Sequence, residues 1–234
     1  SSDLKLELIT TGEKSGTWGT ITNTNLQILE QAASGYIAVD VASSDVALAL
    51  SNHAVSNGKN LYFKLTGTLA ANRTVTMPDG AERVFIVEDA TTRSSSNYTL
   101  TIKTASGTGV TLPVGSKCLV YSDGTNVNLG IRQKGYYTPT TAYTAVDGDQ
   151  LLIDTSGSGI GSAVTITLPA SPSVGSEVTF IDSGNNFASN NLTIARNGSN
   201  ILGAASNLVV SVNASAFTLV FVNATRGWAY KDKI

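Results

Sequence analysis

Val164-Thr165-Ile166-Thr167-Leu168-Pro169 opens a pattern that continues through Glu177-Val178-Thr179-Phe180-Ile181-Asp182 and Asn190-Asn191-Leu192-Thr193-Ile194. The chain states the same pattern earlier, as Thr74-Val75-Thr76-Met77-Pro78, Arg83-Val84-Phe85-Ile86-Val87-Glu88 and Asn97-Tyr98-Thr99-Leu100-Thr101-Ile102. Both statements close on a short apolar stretch, Leu119-Val120-Tyr121 in the first and Leu219-Val220-Phe221 in the second. Apolar and polar residues alternate with a period of two, the spacing of half-buried strands. The chain therefore reads as a duplicated β module, and that pattern alone names no chemistry.

Working outward, strands recur at short intervals between Gly, Asn, Asp and Ser turns, as in sandwich and barrel domains. The expected fold is all-β, with two tandem related antiparallel sandwich or barrel-like modules preceded by a short N-terminal strand and a helix. The first strand is expected over Leu4–Ile9. Then comes the glycine-punctuated loop Gly12–Gly19, with Trp18 as its anchor. A helix follows over Leu26–Ala33, with Thr22, Asn23 and Thr24 as N-cap candidates and Gly35 at its C-cap. Further strands are expected at Ile37–Val41 and Val46–Leu50. Asn57-Gly58 is a hairpin signal, as is Asn213-Ala214-Ser215 near the end. Gly130–Thr141 breaks the strand rhythm and reads as a linker. The expected division is a docking segment over 1–36, a first module over 37–134 and a second over 135–234.

The 234 residues carry a net charge of -2, and only 14% are charged. Soluble domains average about 25%, so Ser, Thr, Asn and Gly must cover much of this surface. No basic run offers itself to nucleic acid. No apolar run reaches the ~18 residues of a membrane span, so no membrane insertion is expected. No signal peptide is expected of the opening residues. One cysteine, Cys118, sits in an apolar stretch and reads as a small buried hydrophobe. These features suit a chain made and folded in a reducing compartment.

Catalytic patterns are sparse. His53 is the only histidine, so a triad or a His-based metal site has no second imidazole. Glu88-Asp89 and Asp147, Asp149 and Asp154 are the carboxylates to test for glycoside hydrolysis, which needs two such groups flanking a groove. Asp147-Gly148-Asp149 lacks the remaining ligands of a calcium loop and reads as a turn. The glycine runs Gly157–Gly161 and Ser106–Gly109 precede strands, whereas a phosphate loop precedes a helix. Asn-x-Ser/Thr sequons at Asn72, Asn97, Asn191, Asn197, Asn213 and Asn223 follow from composition. The expectation is a non-enzymatic protein with no catalytic residue, cofactor or metal. Tyr136, Tyr137 and Tyr143, near Asp147 and Asp149, are the one aromatic cluster suited to a glycan. Sheets of this kind leave edges, and so few charges guard them that association with further copies, as a homotrimer, is expected.

Leu65-Thr66-Gly67-Thr68-Leu69-Ala70-Ala71-Asn72-Arg73-Thr74-Val75-Thr76-Met77-Pro78 resembles a segment recurrent in tail fibres and other tail-associated structural proteins of tailed bacteriophages. Thr101–Val110 and Val120–Val127 carry the same resemblance. Gly12–Gly19 with Thr22–Leu26 is similar to the start of virion proteins of marine phages, cyanophages included. Leu152–Gly157 and Thr167–Pro172 resemble a related phage module. The resemblance implies a virion structural protein, a tail fibre or tail-attached protein, located on the tail and assembled in the host cytoplasm. Its implied partners are other virion proteins of tail or capsid and a host-surface glycan or protein. Docking and assembly are expected through Trp18, Gly19, Asn23, Asn25, Leu26 and Leu29. A capsid decoration or head fibre is the runner-up, and a glycan-binding or glycan-degrading module is the alternative from another class.

Overall fold

The computed structural model describes residues 3–94, 98–133 and 135–233. Asn97, with its sequon and the expected start of a strand, lies outside them. The chain divides into two compact units, the first built from residues up to Thr92, Thr99–Leu112 and Ser116–Gln133, the second chiefly from those after Gln133. Both are all-β, and among the described residues one α-helix, α1 (Trp18–Ser34), precedes the strands.

In unit 1 the strands are β1 (Tyr36–Asp40), β2 (Val46–Ala47), β3 (Tyr62–Leu69), β4 (Arg73–Met77), β5 (Glu82–Arg93), β6 (Leu100–Thr104), β7 (Gly109–Thr111), β8 (Lys117–Asp123) and β9 (Val127–Gln133). They form a five-stranded sheet in the order β1-β3-β5-β8-β9 and a four-stranded sheet in the order β2-β4-β6-β7. Up to β6 the chain thus alternates between sheets, adding one strand to each per coil. This is a β-solenoid. Two observations show the coil length. Thr74 N–H donates to Asp45 Oδ1, 29 residues back, and Thr99 N–H donates to Asn72 Oδ1, 27 residues back.

Unit 2 repeats this design strand for strand. Its members are β10 (Tyr136–Tyr137), β11 (Tyr143–Thr144), β12 (Gln150–Ile153), β13 (Val164–Thr167), β14 (Glu177–Asp182), β15 (Leu192–Ala195), β16 (Leu208–Val210), β17 (Ala216–Asn223) and β18 (Gly227–Lys233). The sheet orders are β10-β12-β14-β17-β18 and β11-β13-β15-β16. The duplication therefore covers nine strands with identical connectivity.

Stacking sets the core. β4 and β6 run parallel with Val75 beside Ile102 and Thr74 beside Thr101. β13 and β15 do the same with Ile166 beside Ile194 and Thr165 beside Thr193. Like side chains lie over like, apolar inward and threonine outward, as a period of two requires. Phe63, Leu65, Val75, Met77, Phe85, Val87, Leu100 and Ile102 fill the interior of unit 1, all at 0% exposure. Leu151, Ile166, Val178, Phe180, Phe187, Leu192, Leu219 and Trp228 do so in unit 2.

The expected all-antiparallel modules are corrected by this pairing. β1 with β3, β2 with β4, β4 with β6, β10 with β12, β12 with β14, β11 with β13, and β13 with β15 are parallel; antiparallel pairing joins β5–β8–β9, β6–β7 and their counterparts. A turn between two short strands is silent on whether they pair or enter different sheets. Pro78-Asp79-Gly80 leads from β4 in one sheet to β5 in the other, and Asn213–Ser215 joins β16 to β17 across sheets in the same way. The closing hairpin is β17–β18.

Smaller expectations also shift. Leu4–Ile9 forms no strand; Asn25 instead clamps its backbone, the Glu7 N–H donating to Asn25 Oδ1 and Asn25 Nδ2 to Glu7 O. α1 begins at Trp18, so Thr22, Asn23 and Thr24 lie inside it, and Thr17 precedes it without a side-chain cap. Trp18 belongs to the helix and does not anchor the loop. Val46–Leu50 keeps strand pairing only at Val46–Ala47. Gly130–Thr141 holds the end of β9 and all of β10. Asn57-Gly58 starts a 3₁₀ turn over Asn57–Lys59, not a hairpin. Gly58 is needed there because a Cβ would sit 2.6 Å from the Ala49 carbonyl oxygen. The Arg83 guanidinium gathers the Gly58, Lys59 and Asn60 carbonyls, and the buried Lys59 ammonium donates to Ala54 O at 2.6 Å. Burial pushes Arg83 down to about 10 and lowers Lys59.

Carboxylates tie the turns. Buried Asp182 accepts the N–H groups of Asn186, Phe187 and Ala214, joining the loop after β14 to the segment before β17. Removing it orphans three donors, so Asp182→Ala should lower the unfolding free energy by about 3 kcal/mol, read as a lower urea midpoint at unchanged slope. On the surface, donation by Ser106 holds Asp79 below the ordinary 3.8, donation by Asn126 and Thr125 does so for Asp123, and donation by Ser156 for Asp154. Depressed carboxyls stabilise the fold above their unfolded value, and that contribution is lost as pH falls through the lower folded values. Asp→Asn at all three positions keeps an acceptor and removes the titration. Stability of that variant should fall less between pH 5 and about 2 than that of the parent.

Candidate functional site

Two places hold the residues to which sequence assigns a role, and a third stands beside them. The first is the helix. Ile28 is the one buried residue of α1. Trp18, Leu26 and Leu29 project from it with 64, 58 and 43% exposure. Gly19 is half-buried beside Trp18, and Asn23 is exposed. Asn25 spends its amide on the Glu7 backbone, and so holds the preceding segment to the helix. That segment is also held by Lys14, whose ammonium lies 3.0 Å from Glu7 Oε1 and whose pKa that bond raises, and by the His53 N–H, which donates to Lys5 O. The His53 ring is half exposed, 3.9 Å from Glu7 Oε2. A helix that buries one side chain and exposes three large apolar ones presents its free stripe to whatever the chain meets.

The second place is the tyrosine cluster of unit 2. Tyr137 and Tyr143 pack at 5.0 Å between ring centroids. Tyr143 is 5% exposed and donates its hydroxyl to Asp149 Oδ2 at 2.9 Å; Asp149 also accepts the Val146 N–H. Burial, then the Asp149 charge, push the Tyr143 phenol far up. Burial also raises Tyr137. Asp147 accepts the Glu177 N–H as a turn residue. Of the three rings, Tyr136 alone stands well into solvent, and a sugar stacking here would meet that ring first.

The third place, which sequence reasoning missed, is the outer face of the β1-β3-β5-β8-β9 sheet. Tyr36, Val84, Tyr121 and Ile131 are exposed on it. The signal was in the chain: Val84, Ile86, Leu119, Tyr121 and Ile131 stand at the outward positions of strands whose inward positions are also apolar. Tyr62, on the same face, gives its hydroxyl to Glu88 Oε2, and burial together with that bond pushes its phenol up to about 12.

The other candidates are occupied locally. Asp89 is buried and accepts both donors of Thr91. Burial pushes the Cys118 thiol up, which keeps it protonated and unreactive. Among the described residues no cluster of three or more His, Cys, Asp or Glu is placed to hold a metal ion. No helix among them is long and apolar enough to cross a membrane.

No family model matches the chain, and no curated protein matches it. Among solved structures it is similar to one described as "Structure of a chaperone-substrate complex", at 14% identity and a TM-score of 0.35. That match covers 84% of this chain and 36% of the other, so the chain spans little more than a third of that structure's length.

The two tryptophans sit in opposite settings, Trp18 in solvent and Trp228 at 0% exposure. Iodide should quench the Trp18 emission and leave that of Trp228, and docking of the helix should abolish the quenching. In the isolated chain Trp18→Ala and Leu29→Ala should each change stability by less than about 0.5 kcal/mol, whereas Ile28→Ala should cost about 3 kcal/mol in urea unfolding.

Proposed function

We propose that the chain is a non-enzymatic structural component of a tailed-bacteriophage virion, a homotrimeric tail fibre or tail-attached protein. One observation carries the reading: the nine-strand duplication, in which the same coil is built twice with the same connectivity. A module repeated with its own core in each copy suits a structural role. The low charge of the chain and its hydroxyl-rich outward threonines suit a durable spacer with little electrostatic reach. The sequence resemblance to phage tail proteins supplies the setting.

In this reading residues 1–36 form the docking segment. The α1 stripe of Trp18, Leu26 and Leu29 seats against another virion protein, and the modules over 37–134 and 135–234 follow in series. Exposed Tyr136 is the residue of the tyrosine cluster best placed for contact with a host glycan.

Gold-conjugated antibody raised against the purified chain, applied to intact phage particles and viewed by electron microscopy, tests the assignment. Label confined to the tail is the expected result. Label spread over the capsid would move the protein to the runner-up role of head decoration, and particles without label would remove it from the virion.

A further inference from the structure

The outer face of the five-stranded sheet in unit 1 carries a continuous apolar belt. Pairing sets Tyr36 beside Tyr62, Ile86 beside Leu119, and Leu119 beside Ile131. The Ile86 N–H donates to the Leu61 carbonyl, which brings Ile86 alongside Tyr62. One row of five apolar side chains therefore runs across all five strands, with Tyr36 stacked on Tyr62 at 5.7 Å. In the next row Val84 lies beside Tyr121, 55 and 44% exposed.

The duplicate shows that folding does not require this. The equivalent row of unit 2 runs Tyr136, Gln150, Thr179, Thr218 and Asp232. The Thr179 and Thr218 hydroxyls lie 3.0 Å apart, and Lys231 meets Glu177 at 2.7 Å just beyond. Two sheets of one design, each with an apolar inner face, thus present different outer faces. A contiguous exposed apolar patch marks an interaction surface; the outer face of this sheet in unit 2 has its own apolar row of Leu152, Ile181 and Ala216, but those side chains are half-buried, and Tyr136 is the one large apolar group exposed on its described strands.

The margins of the belt say what covers it. Two residues along the strands on one side, Lys64 and Lys117 flank Glu88, and Lys117 lies 3.7 Å from that carboxylate. Beyond Val84 and Tyr121 on the other side, Glu82 stands directly beside Asp123, a like-charge pairing that a lone sheet disfavours. The surface is therefore apolar along its midline, net positive on one edge and negative on the other. A copy rotated about an axis parallel to the belt brings its negative edge to the positive edge of its neighbour.

We propose that copies of this chain associate through this belt, around an axis parallel to it, with the Lys64/Lys117 margin of each against the Glu82/Asp123 margin of the next. Rows from Glu82 to Glu88 across five strands about 4.8 Å apart give a footprint of roughly 24 by 24 Å. With side-chain relief that approaches the roughly 800 Å² per partner of a standard interface. The inference rests on the self-association in the proposed function and assigns a surface to it.

Light scattering on the full chain after size exclusion, near 10 µM, tests it. The parent should run as an oligomer. Leu119→Glu, and separately Tyr121→Ser should the first variant fail to fold, should give monomers with the circular dichroism of the parent. Lys117→Glu should weaken association at least tenfold, and Lys117→Glu with Glu82→Lys should regain most of the loss. Thr218→Glu, at the same row of unit 2, should leave the oligomer intact. A monomeric parent, an oligomer indifferent to both belt variants, or a charge pair without recovery would overturn the belt. A dimer that Leu119→Glu dissociates would uphold the belt and overturn the threefold count of the proposed function.

Discussion

Parallel stacking of coil on coil is the constraint on which the rest of the structure depends. Each stacked strand must find its parallel partner a coil away, most of them 23 to 29 residues along the chain, and Asn72 to Thr99 and Asp45 to Thr74 are two of the ties between coils. Backbone hydrogen bonds between coils hold only if every coil presents the same inward and outward pattern at the same place. That demand explains why Val75 meets Ile102 and Ile166 meets Ile194. It also explains the turns. A carboxylate or carboxamide that accepts a backbone N–H from the next coil fixes the register where the sheet ends, and a register slip of one residue would turn the whole core face outward.

Stacking leaves an interior filled by narrow rows of apolar side chains and an exterior free to vary. The two units use that freedom differently. Inward, Phe85 and Val87 of β5 answer to Val178 and Phe180 of β14, and buried Asp89 answers to buried Asp182. Outward, unit 1 carries Val84, Leu119 and Tyr121, and unit 2 carries threonines and a Lys231–Glu177 ion pair. The duplicates agree where folding is decided and differ where solvent is met.

Much of this was legible in the sequence, and the illegible part has a physical cause. Period-two alternation located most strands, and the repeated Thr-x-Thr-x-Pro pattern exposed the duplication. Partner choice was hidden, because Pro78-Asp79-Gly80 or Asn213-Ala214-Ser215 turns the chain equally well into a hairpin or across to the other sheet. The letter-by-letter match of Leu119-Val120-Tyr121 with Leu219-Val220-Phe221 slipped by one residue. Val120 points inward in the first unit, whereas Leu219 and Phe221 do so in the second. The helix was found, but its start was displaced because Trp18, read as the anchor of a loop, opens it. Its free stripe follows from that earlier start, which puts Trp18 on the same element as Leu26 and Leu29. The tyrosine cluster was found as letters only. Burial and the bond to Asp149 take Tyr143 out of reach of a ligand and leave Tyr136 accessible.

The central claim is that the first module is fitted to copies of itself and the second to solvent. A cryo-EM reconstruction of the purified oligomer tests it most directly. The account predicts Leu119, Tyr121 and Ile131 of neighbouring copies in contact around a common axis, with Thr179 and Thr218 facing water. A map with the first module's belt in solvent, or with the second module's outer face at the axis, would contradict it.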